Sequence, residues 1–190
     1  MRLYQRKSNF TMSDFTKNGL FPSINVSSLN DVTSEERSSA IDFVNRNNFV
    51  FEEFNVEKVL STFLPDGAVY HIGGAVRGRA EMKIFLEDYA KVYIHGISRN
   101  AMNHVVDRDD DGVMVRYHQH LVRYAWPKDT ESVTAGGDLL SDDGLPSTWF
   151  FATVIDRLRK TPEGWKVFER HLGPAFRDNR LENSNAPQAI

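Results

Sequence analysis

Apolar residues recur at helical spacing in the first half of the chain and at alternating positions in the second half. Thr33 and Glu36 form a capping box, which predicts a helix running to about residue 53. Asn55 is the predicted cap of a second helix, which the Pro and Gly of LPDG, residues 64–67, are expected to end. The apolar stripe of this second helix consists of Val56, Val59, Leu60, Phe63 and Leu64.

A third helix follows a short predicted strand, AVYHIGG, at residues 68–74. This helix begins at GRAE, residues 78–81, and ends at Gly96. Four strands are then predicted, at residues 97–107, 113–126, 148–160 and 165–172. Helices followed by an antiparallel meander predict an α+β fold, in which a curved, cone-shaped sheet wraps around the helices and encloses a pocket.

The segments outside this pattern are mainly polar. We expect residues 1–32 to form an N-terminal arm, residues 33–175 the domain, and residues 176–190 a flexible C-terminal tail. The loop from Pro127 to Pro146 is long for a compact domain, so it is expected to be mobile and to close over the pocket. The outer face of the sheet has no predicted helix to cover it, which favours a homodimer formed through that face.

Composition excludes several classes of function. The chain has 190 residues, 41% of them apolar, and a net charge of −3 without a basic stripe, so nucleic acid and an anionic membrane surface are not expected as partners. The absence of cysteine excludes disulfides, thiolate metal sites and cysteine nucleophiles. No apolar run suits a membrane span, and the positively charged start lacks the apolar core of a secretory signal, so a cytoplasmic protein is expected.

The strand VRYHQHLVRYAW, residues 115–126, carries the most distinctive chemistry. Alternation places His118, His120, Val122, Tyr124 and Trp126 on one side and Tyr117 and Leu121 on the other. His120 is expected to face the pocket, whereas His118 is expected at the margin of the sheet, hydrogen-bonded or solvated. Two histidines on one strand face suggest a metal site, but no carboxylate follows four or five residues later, so we expect neither a metal nor another cofactor.

Several stretches together resemble a known family. FEEFNVEKVLSTFLPDGAVYHIGG, NAMNHVVDRDDDGVMVRY and DRLRKTPEGWKVFERHL are similar to the SnoaL-like family of the nuclear-transport-factor-2-like superfamily. The resemblance covers residues 35–175 and implies the cone-shaped α+β fold. Within that family YHQHLVRY resembles the scytalone dehydratases, lyases whose pocket lies inside the cone. This fold carries dehydratases, isomerases, cyclases, epoxide hydrolases and non-catalytic subunits.

The resemblance carries over to the dehydratase site only in part. Phe51 and Glu52 take the place of the Tyr-Asp pair that ends the first helix of the dehydratases. His71, with Tyr70 beside it, takes the place of a tyrosine in their pocket. The two catalytic histidines of the dehydratases correspond to Arg99 or Asn100 and to Tyr124, and their serine and asparagine to Ala152 and Val154. The fold is therefore implied, but the acid–base set of the dehydratases is not present.

The candidate site follows from these positions. We expect His120, Glu52 and His71 to act as acid–base groups, with Tyr124 and Asn100 as donors to an oxygen that gains charge. The expected substrate-binding residues are Tyr70, Phe51, Val122, Trp126, Tyr89, Phe150 and Arg170.

Three alternatives stay open at this stage. Glu52 is either a pocket carboxylate or a solvated charge. Arg170 either pairs with Asp156 across two strands or donates to a substrate oxygen. Alternation separates Asn100 and His104 from Asn103, and the strand register that decides which of them faces the pocket is undetermined.

The expected function is that of a cofactor-independent lyase, isomerase or cyclase. Its substrate would be a small hydrophobic intermediate with a carbonyl group, such as a polyketide or a terpenoid. The alternative from another class is a non-catalytic module that uses the same fold for ligand binding or assembly.

Overall fold

The structure is a computed structural model that describes residues 21–24, 26, 31–53, 55–71, 74–93, 95–129 and 144–182, without the side chains of residues 89–93 and 128. Within these residues the chain forms three α-helices: α1 (Ser34–Glu52), α2 (Val56–Ser61) and α3 (Gly78–Tyr93). It also forms six strands: β1 (Phe63–His71), β2 (Gly74–Arg77), β3 (Ile97–Asp109), β4 (Gly112–Arg123), β5 (Ser147–Thr161) and β6 (Gly164–Arg177).

Both predicted helix caps are present. The Thr33 hydroxyl accepts from the Glu36 amide at 3.1 Å, and the Glu36 carboxylate accepts from the Thr33 amide at 2.9 Å. The Asn55 side chain accepts from the Lys58 amide at 3.0 Å. These bonds satisfy amides that have no partner within a helix, which explains why α1 and α2 begin where the sequence predicts.

The predicted end of the second helix is wrong. α2 stops at Ser61, and LPDG lies inside β1, which already starts at Phe63. Phe63 pairs in parallel with Val167 of β6, and a bulge between Phe63 and Ala68 accommodates the Pro and Gly. Pairing with β6 therefore outweighs the local preference of Pro and Gly for a turn.

The six strands form one curved sheet in the order β2-β1-β6-β5-β4-β3. The predicted meander of β3 to β6 is antiparallel throughout, β1 and β2 are antiparallel, and β1 joins β6 in parallel. The helices pack on one face of this sheet, which confirms the predicted α+β class.

The face that the helices cover, called here the helix-side face, is identified by β4. Val113, Val115 and Tyr117 are buried in the same core cluster as Ala40 and Val44 of α1. Successive side chains of a strand point to opposite sides, so the even-numbered residues of β4 face the other way. That opposite side is the outer face.

Part of the predicted N-terminal arm packs on the outer face. The Arg116 guanidinium donates to the Pro22 carbonyl at 2.5 Å and lies 5.9 Å from the centre of the Phe21 ring. The Phe21 ring lies so close to Gly173 that a Cβ atom there would be 2.9 Å from it. These residues of the arm thus contact their own domain.

The C-terminal ends of β4 and β6 also differ from the predicted ends. β4 stops at Arg123, because the Gly96 carbonyl accepts from the amides of Tyr124 and Ala125 as the chain turns away. β6 continues to Arg177, and a 3-10 turn at Asn179–Leu181 follows it, with Leu181 buried. The domain therefore extends past the predicted start of the tail at residue 176. Of the tail, residues 183–190 lie outside the described residues.

The buried Arg123 guanidinium connects this C-terminal turn to the sheet. Its Nε donates to the Leu181 carbonyl at 2.6 Å, and one terminal nitrogen donates to the carbonyls of His95 and Ala125 at 3.2 Å each. Burial lowers the pKa of Arg123 to about 10.

Most of the predicted closing loop, residues 130–143, lies outside the described residues, so its closure over a pocket stays a prediction.

Candidate active site

The two histidines of β4 face away from the helices. His120 pairs with Asn100 and Phe151, and its Nε2 atom lies 2.8 Å from the Thr148 hydroxyl. The His118 Nδ1 atom accepts from the Asn103 amide at 3.2 Å, and its ring lies 5.2 Å from that of Phe151. Both are outer-face residues, so the predicted pocket position of His120 is wrong.

Two other residues predicted to line the pocket, Asn100 and Val122, also lie on the outer face. Asn100 is exposed opposite His120, and Val122 pairs with Ser98 and Thr148 on the outer face. The residues predicted to face outward, Tyr117 and Leu121, belong instead to buried clusters. The strand alternates as predicted, but its two faces are exchanged.

A bulge in β3 decides the register that was left open. Pairing with β4 shifts between Met102 and Val105, and Asn103 adopts a left-handed φ of 58°. Asn103 is exposed next to His118, whereas His104 stacks on Tyr117 with ring centres 5.8 Å apart. Neither asparagine therefore faces the helices, but His104 does. The only signal in the sequence is Asn103 itself, since asparagine tolerates left-handed φ better than most residues.

Asp156 and Arg170 form the predicted cross-strand pair. They are direct neighbours across β5 and β6, and Arg170 donates to both carboxylate oxygens at 2.7 Å. Arg170 also donates to Asn47 of α1 at 2.8 Å, and the Tyr117 hydroxyl donates to Asp156 at 3.1 Å. Burial raises the pKa of Tyr117, so its hydroxyl stays protonated. The predicted role of the buried Arg170 in substrate binding is therefore not supported.

The core is less completely buried around Phe51, near the C-terminal end of α1. At the other end of the helix-side face, Val113, Val115 and Leu158 are completely buried. Towards the end of α1, by contrast, the apolar side chains are only partly buried; they include Phe51, Phe85, Ala101 and Leu172. We call this region, with the polar residues at its edge, the open end. Its aromatic side chains suit a flat apolar ligand.

Glu52 and Tyr124 are the polar pair at the open end. Glu52 is the last residue of α1, and its carboxylate accepts from the backbone amide of Arg99. Burial, together with the negative charge of Glu52, raises the pKa of Tyr124. The Tyr124 phenol therefore stays protonated near pH 7. Tyr124 follows the last residue of β4, so the alternation of side chains along that strand does not fix which way Tyr124 points.

Phe51 forms part of the wall next to this pair. The guanidinium groups of Arg99 and Arg170 lie over its ring, 4.7 and 5.4 Å from its centre. Such cation–π contacts hold an aromatic ring in place. Phe51 is therefore on the helix-side face, and its predicted role in substrate binding stays a prediction.

His71 also lies on the helix-side face. Its ring lies 5.6 Å from that of Phe85 in α3, and burial lowers the pKa of His71, so the imidazole is neutral near pH 7. Its neighbour Tyr70 points to the outer face, where it stacks on His171 at 4.7 Å and donates to Glu169 at 3.3 Å. Tyr70 does not face the helices, so its predicted contact with a substrate in the pocket is wrong.

The other predicted substrate-binding residues are Trp126, Phe150 and Tyr89. Trp126 is buried, with its ring 5.0 Å from the Arg123 guanidinium, and does not belong to β4. Phe150 packs with Ile97 and Trp149 in a second core cluster. The side chain of Tyr89 lies outside the described residues.

Two further features are absent from the described ranges. Within them, no group of three or more His, Cys, Asp or Glu side chains is arranged to hold a metal ion. No helix in the part of the chain that the structure describes is long and apolar enough to cross a membrane.

The model of the SnoaL-like domain matches residues 32–171, which is most of the chain. The chain belongs to the SnoaL-like domain family. The sequence matches no curated protein. This SnoaL-like protein does have solved structural neighbours, and at their low sequence identity they show the fold alone.

Three of these neighbours illustrate the fold. A protein of unknown function with a cystatin-like fold from Nostoc punctiforme has a TM-score of 0.58 and 18% identity, over 74% of this chain and 92% of its own. A proposed scytalone dehydratase from Novosphingobium aromaticivorans has a TM-score of 0.57 and 15% identity, over 85% and 100%. A ketosteroid isomerase-like protein from Erwinia carotovora has a TM-score of 0.53 and 15% identity, over 74% and 96%.

Proposed function

We propose that this SnoaL-like protein is a cofactor-independent lyase or isomerase, of dehydratase or cyclase type. Its substrate is a hydrophobic intermediate with a carbonyl group, of polyketide or terpenoid character. The observation that carries the proposal is the position of the Glu52 carboxylate, which ends α1 beside the partly buried Phe51 and accepts from the Arg99 amide, and whose charge helps to raise the pKa of Tyr124. The names of the neighbours, ketosteroid isomerase-like and scytalone dehydratase, describe those proteins and agree with this class of reaction.

The pair can divide the two tasks of an enolisation. The Glu52 carboxylate removes a proton from the carbon beside the carbonyl group, and the electron pair moves to the carbonyl oxygen. The Tyr124 hydroxyl donates a hydrogen bond to that oxygen as its charge grows. The proton then returns to another carbon, which is an isomerisation, or a hydroxide leaves from the next carbon and takes up a proton as water, which is a dehydration.

The surroundings supply the binding energy and a second proton carrier. Phe51 and Phe85 offer aromatic surface to a flat substrate. His71 lies against Phe85 and is neutral near pH 7, so its imidazole can take up or release a proton. These contacts need neither a metal nor an organic cofactor.

Exchange of hydrogen for deuterium next to a ketone tests the proposal without knowledge of the natural substrate. We expect the protein to accelerate exchange at the carbon beside the carbonyl of 1-tetralone in D₂O, measured by ¹H NMR. Loss of the general base in Glu52→Gln should reduce the rate by ~10²–10⁴-fold, and Tyr124→Phe should reduce it as well.

His120→Gln is the matched control, because this residue lies on the outer face and should leave the rate unchanged. Exchange no faster than in buffer, or equal rates for wild type and Glu52→Gln, would refute the proposed function.

A second proposal concerns assembly, and the outer face favours it. Phe151 and Phe176 are neighbours across β5 and β6 and are 38% and 63% exposed. Apolar side chains that lie together on an uncovered sheet are typical of an interface. We propose a second copy of the chain as the partner; this contact is compatible with catalysis and with a non-catalytic assembly role.

A further inference from the structure

His104 combines three features that the proposed mechanism does not use. It lies in the β3 bulge beside Asn103, whose left-handed backbone turns the next side chain towards the helices. Its ring stacks on Tyr117 at 5.8 Å. Its Nε2 atom is buried and has no hydrogen-bond partner among the residues that the structure describes.

A buried ring nitrogen without a partner is unfavourable, because it has lost its hydrogen bond to water and gained none in return. The residue as a whole is only half-buried, so its Nε2 is the edge that points inward. Bulges that redirect one side chain are frequent next to functional sites. Because Nε2 is covered in the ligand-free structure, a ligand reaches this unsatisfied atom when the side chains that cover it move aside.

The charge state of His104 limits the kind of ligand. Burial lowers the pKa of His104, so the imidazole is neutral near pH 7. A neutral imidazole offers either one donor or one acceptor at Nε2, which suits a hydroxyl or carbonyl oxygen better than a carboxylate or a phosphate. The adjacent Tyr117 ring adds an aromatic surface.

We propose that the Nε2 atom of His104 forms a hydrogen bond with an oxygen atom of a flat, apolar ligand bound on the helix-side face. This inference rests on the site of the proposed function and adds a positioning contact to it. Tyr117 supports the imidazole and is itself held by its bond to Asp156, so the contact belongs to a rigid part of the sheet.

Binding of matched probes tests the contact. The probes are 2-naphthol and 1-tetralone, which carry one oxygen, and naphthalene, which carries none. One hydrogen bond should make wild type bind the oxygenated probes ~2–10-fold more tightly than naphthalene, measured by calorimetric titration. In a ¹⁵N-labelled protein, the His104 ring nitrogen signal should shift with 2-naphthol and not with naphthalene.

His104→Phe keeps an aromatic ring and removes the nitrogen. We expect it to bind all three probes about equally, while its Tm without ligand stays the same or rises, because the unsatisfied nitrogen is gone. His104→Gln restores a donor and an acceptor and should recover part of the preference. His120→Phe, a change to an outer-face histidine, is the control and should keep the preference of wild type.

Two results would overturn the inference. If wild type shows no preference for the oxygenated probes, the ligand class is wrong. If His104→Phe keeps the preference, the partner of Nε2 is an internal water or the histidine is purely structural, and a marked fall in Tm would point to the latter.

The two proposals fail separately. Glu52→Gln should keep the binding preference and lose the deuterium exchange. If the exchange survives in Glu52→Gln while His104→Phe loses the preference, the proposed function is refuted and the contact of His104 stands.

Discussion

Asp156 and Arg170 face each other across β5 and β6 and bind through two bonds of 2.7 Å, with side chains that are 0% and 7% exposed. The same carboxylate accepts from Tyr117, and the same guanidinium donates to Asn47, so the pair connects the sheet to α1. Two opposite charges at such depth depend on each other, because either one alone would remain buried without compensation.

Breaking this pair is therefore predicted to be costly. Asp156→Asn should lower the free energy of unfolding by ~3–5 kcal/mol, measured by urea denaturation. The double variant Asp156→Leu/Arg170→Met should cost less than the single change, because it removes both charges. Arg46→Ala, which breaks an exposed ion pair with Asp42, is the control and should cost less than ~1 kcal/mol. A cost below that limit for Asp156→Asn would contradict the prediction.

A second prediction concerns stability at low pH. The hydrogen bonds of Glu36 to Arg108, and then those of its capping box, lower its pKa from 4.5 to about 2. The folded state thus has the lower pKa, so the contribution of Glu36 is complete above about pH 4.5 and is lost as the pH falls towards 2. Glu36→Gln should be less stable than wild type at neutral pH, and the difference should shrink over this range.

Glu35→Gln, in the same turn of α1, provides the comparison, since the Glu35 carboxylate is exposed. Chemical denaturation at several pH values between 2 and 6 measures both variants. A stability difference for Glu36→Gln that does not change over this range would show that its ion pair contributes nothing.

The third prediction is a homodimer through the outer face. We expect the mass measured by light scattering at micromolar concentration to be that of two chains. Phe176→Glu places a charge in the exposed pair with Phe151 and should produce monomers. Phe49→Glu changes a phenylalanine of α1 that is 67% exposed and should leave the dimer intact. A monomeric wild type would rule out this interface.

The fourth prediction isolates the backbone of the bulge. Asn103→Gly and Asn103→Ala both remove the hydrogen bond to His118, but only glycine adopts a φ of 58° without steric cost. The alanine variant should therefore be ~1–2 kcal/mol less stable than the glycine variant in urea denaturation. Equal stabilities would mean that the left-handed backbone is not kept in solution.

Local sequence determined where α1 and α2 begin, the meander and the family. The capping box of Thr33 and Glu36 uses bonds between neighbours in the chain, so it could be predicted from spacing alone. The short turn between β5 and β6 placed Asp156 and Arg170 near each other, but a register shift between Arg157 and Leu158 is what brings Asp156 directly opposite Arg170. Of the candidate site, Phe51 and His71 lie on the helix-side face and Glu52 ends α1, while their roles stay predictions.

Tertiary structure decided which side of each strand faces the helices. Alternation gives two sets of residues in β4 but does not label them, and the core contacts of Tyr117 with α1 leave His118 and His120 outside. In β3 one bulge turns His104 inward and leaves Asn103 outside. A shift of one residue exchanges the faces of a strand, and that shift depends on pairing and packing between distant parts of the chain, which local patterns do not record.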